Sequence, residues 1–296
     1  MDQGAPQMNS QNISLKTLLR RFWKKAMLTW LLVVLEGLCL LFMPLVIGWA
    51  IDDLMKGELP GMIQLSCLCL GLLIIGASRR FYDTRVYSGI FRKVSSELVA
   101  REKQRDTGIS KISARTNLFT EFIEFLENSI PGIFNHIIGL VGTLVIIVFI
   151  NFQVFLACLA GAAVTSIIYI LSQKKILNLN KGQNSEFEKQ VDIIASPSAD
   201  NINTHFRNLM VWNIKLSDLE TINYSLTWVV LTAVLVGSIL VAATSADTSF
   251  GLVVAIVMYV FGFIESVMTF PLHYQQMIRL QEIGARLGNP QSQPLW

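Results

Sequence analysis

Met27 to Ile51, MLTWLLVVLEGLCLLFMPLVIGWAI, runs for twenty-five positions with one charged residue, Glu36. At 1.5 Å per residue a helix of that length covers ~37 Å, enough to cross the roughly 30 Å of bilayer hydrocarbon. The run follows a polar start and has no small-residue cleavage pattern, so it reads as a retained span and not a removable leader. Working outward, a hydropathy window finds five further runs, at 62–78, 133–150, 152–172, 226–246 and 250–271. They are continuously apolar instead of alternating, which argues against strands, and an open sheet edge in lipid would leave backbone groups unpaired. The expected fold class is therefore an all-α integral membrane protein with six transmembrane helices.

Composition agrees. Of 296 residues, 52% are hydrophobic and only 15% charged, outside the range of soluble domains. The net charge of +3 carries no basic block that would suggest nucleic acid. Cys39, Cys67, Cys69 and Cys158 all lie in apolar runs, without the spacing of a disulfide framework or a zinc site. His136 and His205 read as isolated, so no metal or cofactor is expected.

Lysine and arginine are divided unevenly among the connections. Five precede the first span, ten lie in 79–132, six in 173–225 and two after 271, against one, Lys56, in the remaining short loops. Twenty-three of 24 basic residues thus fall on one side, and the positive-inside rule puts both termini and the two long excursions in the cytoplasm of an inner-membrane protein. Residues 13–25 place Leu15, Leu18, Leu19 and Phe22 on one helical stripe and Lys16, Arg20, Arg21 and Lys24 on the other, an expected elbow helix lying on the inner leaflet. Residues 1–12 and 289–296 read as flexible tails around a domain at 13–288. The excursions at 79–132 and 173–225 keep helical patterning and break near their middles, at Asp106 to Ser110 and Ser196 to Asp200. Each reads as a descending helix, a crosspiece and an ascending helix, far longer than a connecting loop needs.

This plan resembles the transmembrane domain of ABC exporters. Pro44-Leu-Val-Ile-Gly-Trp-Ala-Ile-Asp-Asp-Leu54 is similar to the end of the exporters' first helix, and Arg279-Leu-Gln-Glu-Ile-Gly-Ala-Arg286 to the helix that leaves their sixth span. The chain has no Gly-Lys dipeptide, which a phosphate-cradling loop requires, and no Gly-Gly, so it is not expected to be an enzyme and has no catalytic residues. It is similar to six-transmembrane domains without an ATPase and, more loosely, to SbmA/BacA-type peptide transporters. The resemblance implies a homodimer moving an amphipathic small molecule or peptide, driven by a separately encoded ATPase. That partner would dock on crosspieces at Thr107, Gly108, Ile109 and Ser110 and at Pro197, Ser198, Ala199, Asp200 and Asn201. Two alternatives stay open: a proton-coupled transporter of similar fold, and a non-transporting adaptor or scaffold.

Some polar residues are candidates for the chemistry. Glu36 and Glu265 lie mid-span, where a charge costs a few kcal/mol, so they are candidate proton-coupling or cavity groups, with His273 two turns beyond Glu265 and Thr269 between. The structural alternative is a carboxylate bonded to a neighbouring helix. Arg79, Arg80 and Asp83 after span two should meet Glu124 and Glu127 before span three, giving candidate inner-gate ion pairs whose ordinary role would be structural. Ala157, Gly161 and Thr165 in span four form a small-residue face for close helix packing.

The charge count makes a direct prediction. Reporters fused at Met1 and Trp296 will read the same, cytoplasmic side, and one inserted beside Gly57 the opposite side; termini on opposite sides would leave an odd number of spans.

Overall fold

The computed structural model describes residues 15–104, 108–195, 198–245 and 248–288. All regular structure among them is helical: α1 (Leu15–Met55), α2 (Pro60–Gln104), α3 (Ile109–Glu124), one π-helical turn (Phe125–Ser129), α4 (Ile130–Ile150), α5 (Phe152–Glu188), α6 (Gln190–Ile194), α7 (Ala199–Thr244) and α8 (Phe250–Gly288). Six helical stretches among the described residues are long and apolar enough to cross a membrane: Met27–Met55, Pro60–Gln104, Ile112–Ile150, Phe152–Ile194, Asp200–Thr244 and Phe250–Gly284. The chain is a multi-pass, all-α membrane protein.

The helices outrun the bilayer. At 1.5 Å per residue the 45 residues of α2 and 46 of α7 reach almost 70 Å, more than twice the hydrocarbon thickness. Apolar run and polar excursion are thus one uninterrupted helix. The same holds at the start: the segment expected as a separate elbow over 13–25 is continuous with the first span, since no glycine, proline or cap separates Lys25 from Met27. Ile13 and Ser14 lie outside the described residues.

The chain divides into two compact units. The first comprises Met1–Val145, Ser249–Ala255 and Glu265–Trp296. Its first element is the antiparallel α1–α2 hairpin, closed by a turn at Lys56 and Gly57, where Gly57 takes a φ of +78° that favours glycine. The Ile51-Asp-Asp53 motif anchors this end. Asp53 accepts the backbone N–H of Gly61 at 2.8 Å in the first turn of α2. Asp52 accepts the Gly251 N–H at 2.8 Å and the Ser249 hydroxyl at 2.5 Å, satisfying the start of α8. Ser249 in turn caps the Leu252 N–H. Further along α2, past its apolar run, Val86, Tyr87, Ile90 and Val94 form a stripe of helical period. This packs with Phe119, Phe122, Phe125, Ile133, Leu280 and Ile283 into a buried core contributed by α2, α3, the π-turn, α4 and α8.

The second unit comprises Ile146–Thr248 and Ile256–Ile264, and is dominated by the antiparallel α5–α7 pair. Val154, Cys158, Gly161 and Thr165, at helical spacing, are its buried stripe, and Ala157 sits at the stripe's edge. Gly161 admits Leu231 and Val234, Ser172 donates to Asn223 at 2.7 Å, and Gly182 lies under the Trp212 ring. These facing pairs are all centred near position 197. Asn151 caps α5 through Gln153 and Val154, and Ser198 caps α7 through Asn201.

Close approach makes two glycines behave oppositely. A Cβ on Gly251 would stand 2.0 Å from the Gly48 carbonyl oxygen, which is rigid backbone, whereas one on Gly71 meets nothing within 4 Å. Gly251→Ala will destabilise the protein by about 1–3 kcal/mol through overpacking. Gly71→Ala will be neutral, or stabilising by up to about 1 kcal/mol because a helical glycine is entropically costly. Thermal unfolding in mild detergent checks the opposite signs.

Candidate functional site

The polar residues of the first unit converge where α1 and α2 lose their apolar character. Thr29, Val33 and Glu36 lie on one stripe of α1, and Gly76, Arg79, Asp83 and Tyr87 on the facing stripe of α2. The hairpin register brings them together: Glu36 faces Gly76 and Thr29 faces Asp83, both pairs centred on position 56. Arg79 donates from Nε to Glu36 Oε2 in a close ion pair, and from a terminal nitrogen to Asp83 Oδ2 at 3.3 Å. The Glu36 and Arg79 side chains are each 14% exposed and that of Asp83 only 3%. A mid-span carboxylate carries a large desolvation cost, and a guanidinium within reach offsets it.

Arg79 therefore does not serve the role expected of it. Among the described residues no ion pair joins Arg79 or Arg80 to Glu124 or Glu127; Arg80 and Glu124 are exposed. The π-turn Phe125–Ser129 explains the change. Its extra residue re-phases the helix, so that Glu127 turns toward α2, accepting the Thr84 hydroxyl at 2.8 Å, while Glu121 one face away meets α8. Arg279 grips Glu121 with two nitrogens at 2.8 and 3.1 Å and adds Glu282 at 3.0 Å. Sequence reasoning noticed Arg279 only as part of a helix leaving span six.

A second polar contact joins α4 to the late part of α8. Thr269 donates its only hydroxyl proton to the Glu265 backbone carbonyl at 2.8 Å, so at its 2.7 Å contact with His136 Nε2 the imidazole is the donor. A 3.2 Å contact from the same nitrogen to the Ser266 carbonyl requires the same tautomer. The ring of His273 is 4.5 Å from that of His136, and its Nδ1 lies 3.1 Å from Gln276. His136, read from sequence as isolated, is thus at the centre of this contact. The Glu265 side chain is exposed, and Thr269 reaches its backbone and not its carboxylate.

In the second unit Glu186 Oε1 lies 3.0 Å from His205 Nδ1 and Oε2 lies 3.1 Å from Lys189. His205 is 1% exposed, though it too read as isolated. Of the expected crosspieces, Ile109 and Ser110 open α3, and Ala199, Asp200 and Asn201 open α7, preceded by Gly108 and Ser198 as caps; Thr107 and Pro197 lie outside the described residues. Among the described residues no group of three or more His, Cys, Asp or Glu is placed to hold a metal ion. The Glu36–Arg79–Asp83 cluster holds two acids and one base away from water, where any change of charge is costly.

Six helical stretches long and apolar enough to cross a bilayer define a multi-pass transmembrane domain. The chain belongs to the ABC transporter transmembrane region family, whose model matches residues 15–251. A comparison with curated proteins finds no match.

The two arginines separate by burial. Arg79→Ala leaves the Glu36 carboxylate without its counter-charge and will cost about 3–5 kcal/mol. Arg279→Ala removes an exposed pair and will cost at most about 1 kcal/mol, diminished further by salt. Unfolding at two ionic strengths tests both.

Proposed function

We propose that this chain is the membrane component of an exporter-type transporter: a homodimer that moves an amphipathic small molecule or peptide across the inner membrane by alternating access. Family membership supports transport. The observation that carries the dimer and partner reading is the apolar surface of the helical extensions, beyond the reach of lipid. Phe206, Met210 and Ile214 recur at helical spacing on α7 and are exposed, some 12–20 residues before the apolar run that begins at position 226. Phe187 and Val191 are exposed at the corresponding end of α5 and on α6. Apolar stripes in water are stable when covered by protein, and twelve helices from two copies would complete a translocation path. The basic loops favour placing these extensions, and both termini, in the cytoplasm.

In this reading ATP is hydrolysed by a separately encoded partner docked at the helix starts around Ile109 and Asn201. The Glu36–Arg79–Asp83 cluster favours a second reading, in which a proton gradient supplies the energy.

Purification from its native membrane in mild detergent decides between them. The expected result is a mass of two copies with a co-purifying ATPase, while the chain stripped of partners hydrolyses no nucleotide. A monomer with no associated ATPase, and no gradient-driven uptake in vesicles, would contradict the transport reading and leave the scaffold.

A further inference from the structure

The cluster around Arg79 does not balance. Two carboxylates, Glu36 and Asp83, share one guanidinium, and a third, Glu127, faces Asp83 from the π-turn. Arg79 is the only basic partner that the two have among the described residues, and its contact to Glu36 is the closer of its two. Fully ionised, Glu36, Asp83 and Arg79 by themselves would leave one net negative charge in a place where charge is costly. The unpaired atoms locate it. Asp83 is 2% exposed and its Oδ1 has no hydrogen-bond partner, and Thr29 is 1% exposed and its Oγ1 likewise has none. The Thr29 hydroxyl stands beside the Asp83 carboxyl, where it can donate to the anion or accept from the acid, yet neither Oδ1 nor Oγ1 is paired. Buried polar atoms are rarely left this way.

We propose that Asp83 is a proton-binding site, its carboxyl carrying a proton on Oδ1 that is donated to the Thr29 hydroxyl. One proton on Asp83, with the Thr29 hydroxyl as its acceptor, cancels the surplus charge of the Glu36–Arg79–Asp83 cluster and leaves Arg79 to pair with Glu36. The groups facing Asp83 pull in both directions, its burial opposing the anion while Thr29 and Arg79 favour it. From α1 come Glu36 and Thr29, from α2 Arg79 and Tyr87, and from the π-turn Glu127, whose negative charge disfavours a second anion beside it. When the proton leaves, Asp83 becomes a full competitor of Glu36 for Arg79, so loading and unloading bias the hairpin between two pairings. That the bias serves transport rests on the reading above; the proton site itself does not.

Infrared spectroscopy of the purified full-length chain in liposomes, with hydrogen–deuterium exchange, reads the site without any partner. At neutral pH the protein should show a protonated carboxyl band. Asp83→Asn should reduce it by one carboxyl per chain, and Glu127→Gln should leave it in place. Thr29→Val should shift its frequency as the hydroxyl partner is lost, which keeps the test open if Asp83→Asn does not fold. No band at neutral pH, a band unmoved by Asp83→Asn and Thr29→Val alike, or a band removed by added sodium would overturn the proposal, the last by making this an alkali-cation site. Any of these would leave the family reading intact, just as an absent ATPase would leave the band.

Discussion

A guanidinium held between two carboxylates inside a helix hairpin is the constraint on which the first unit depends. Glu36 cannot remain charged among apolar side chains without a counter-charge at its own depth, and Arg79 provides it from the facing helix. The pairing fixes the sliding position of α1 against α2, because moving either helix by one turn would carry the charges about 5 Å apart. Asp53 on Gly61 and Asp52 on Gly251 fix the opposite end of the hairpin through backbone groups. Between those two anchors the contacts are apolar and permit sliding on their own, so the polar contacts supply register where packing does not.

Below the cluster the same helix changes solvent. Over 62–78 α2 is apolar around its circumference, as lipid requires; from Val86 onward only one stripe is apolar, as in a helix of a soluble bundle. The π-turn at Phe125–Ser129 serves this change on the neighbouring helical segment. By altering helical phase it lets Phe122 and Phe125 enter the core, Glu127 face α2 and Glu121 meet Arg279. The exposed Arg279 pair adds little energy, but it ties the end of α8 to α3 with the geometry of a two-pronged clamp.

The spans were legible because hydropathy over twenty residues is a strong signal; the anchoring by Asp52 and Asp53 came only with the contacts they make. The partners were not legible, because a side-chain pair 43 or 133 residues apart leaves no local periodicity. One of them had a signal that went unused. A tight turn at Lys56 and Gly57 makes α1 and α2 antiparallel about position 56, which places Glu36 opposite Gly76 and within one turn of Arg79. The same folding about position 197 sets His205 near Glu186. No comparable shortcut leads from His136 to Thr269, since the helices carrying them are not sequence neighbours. The π-turn, which redirected Glu127, is invisible to any pattern that assumes 3.6 residues per turn.

The most direct test of the register is a double-mutant cycle on Glu36→Gln and Arg79→Gln, followed by unfolding in detergent. The hairpin described here predicts that the two changes are non-additive, with a coupling of about 1 kcal/mol or more and the double variant more stable than Arg79→Gln alone. Strictly additive effects would mean that Glu36 and Arg79 do not share the buried pair, and would contradict it.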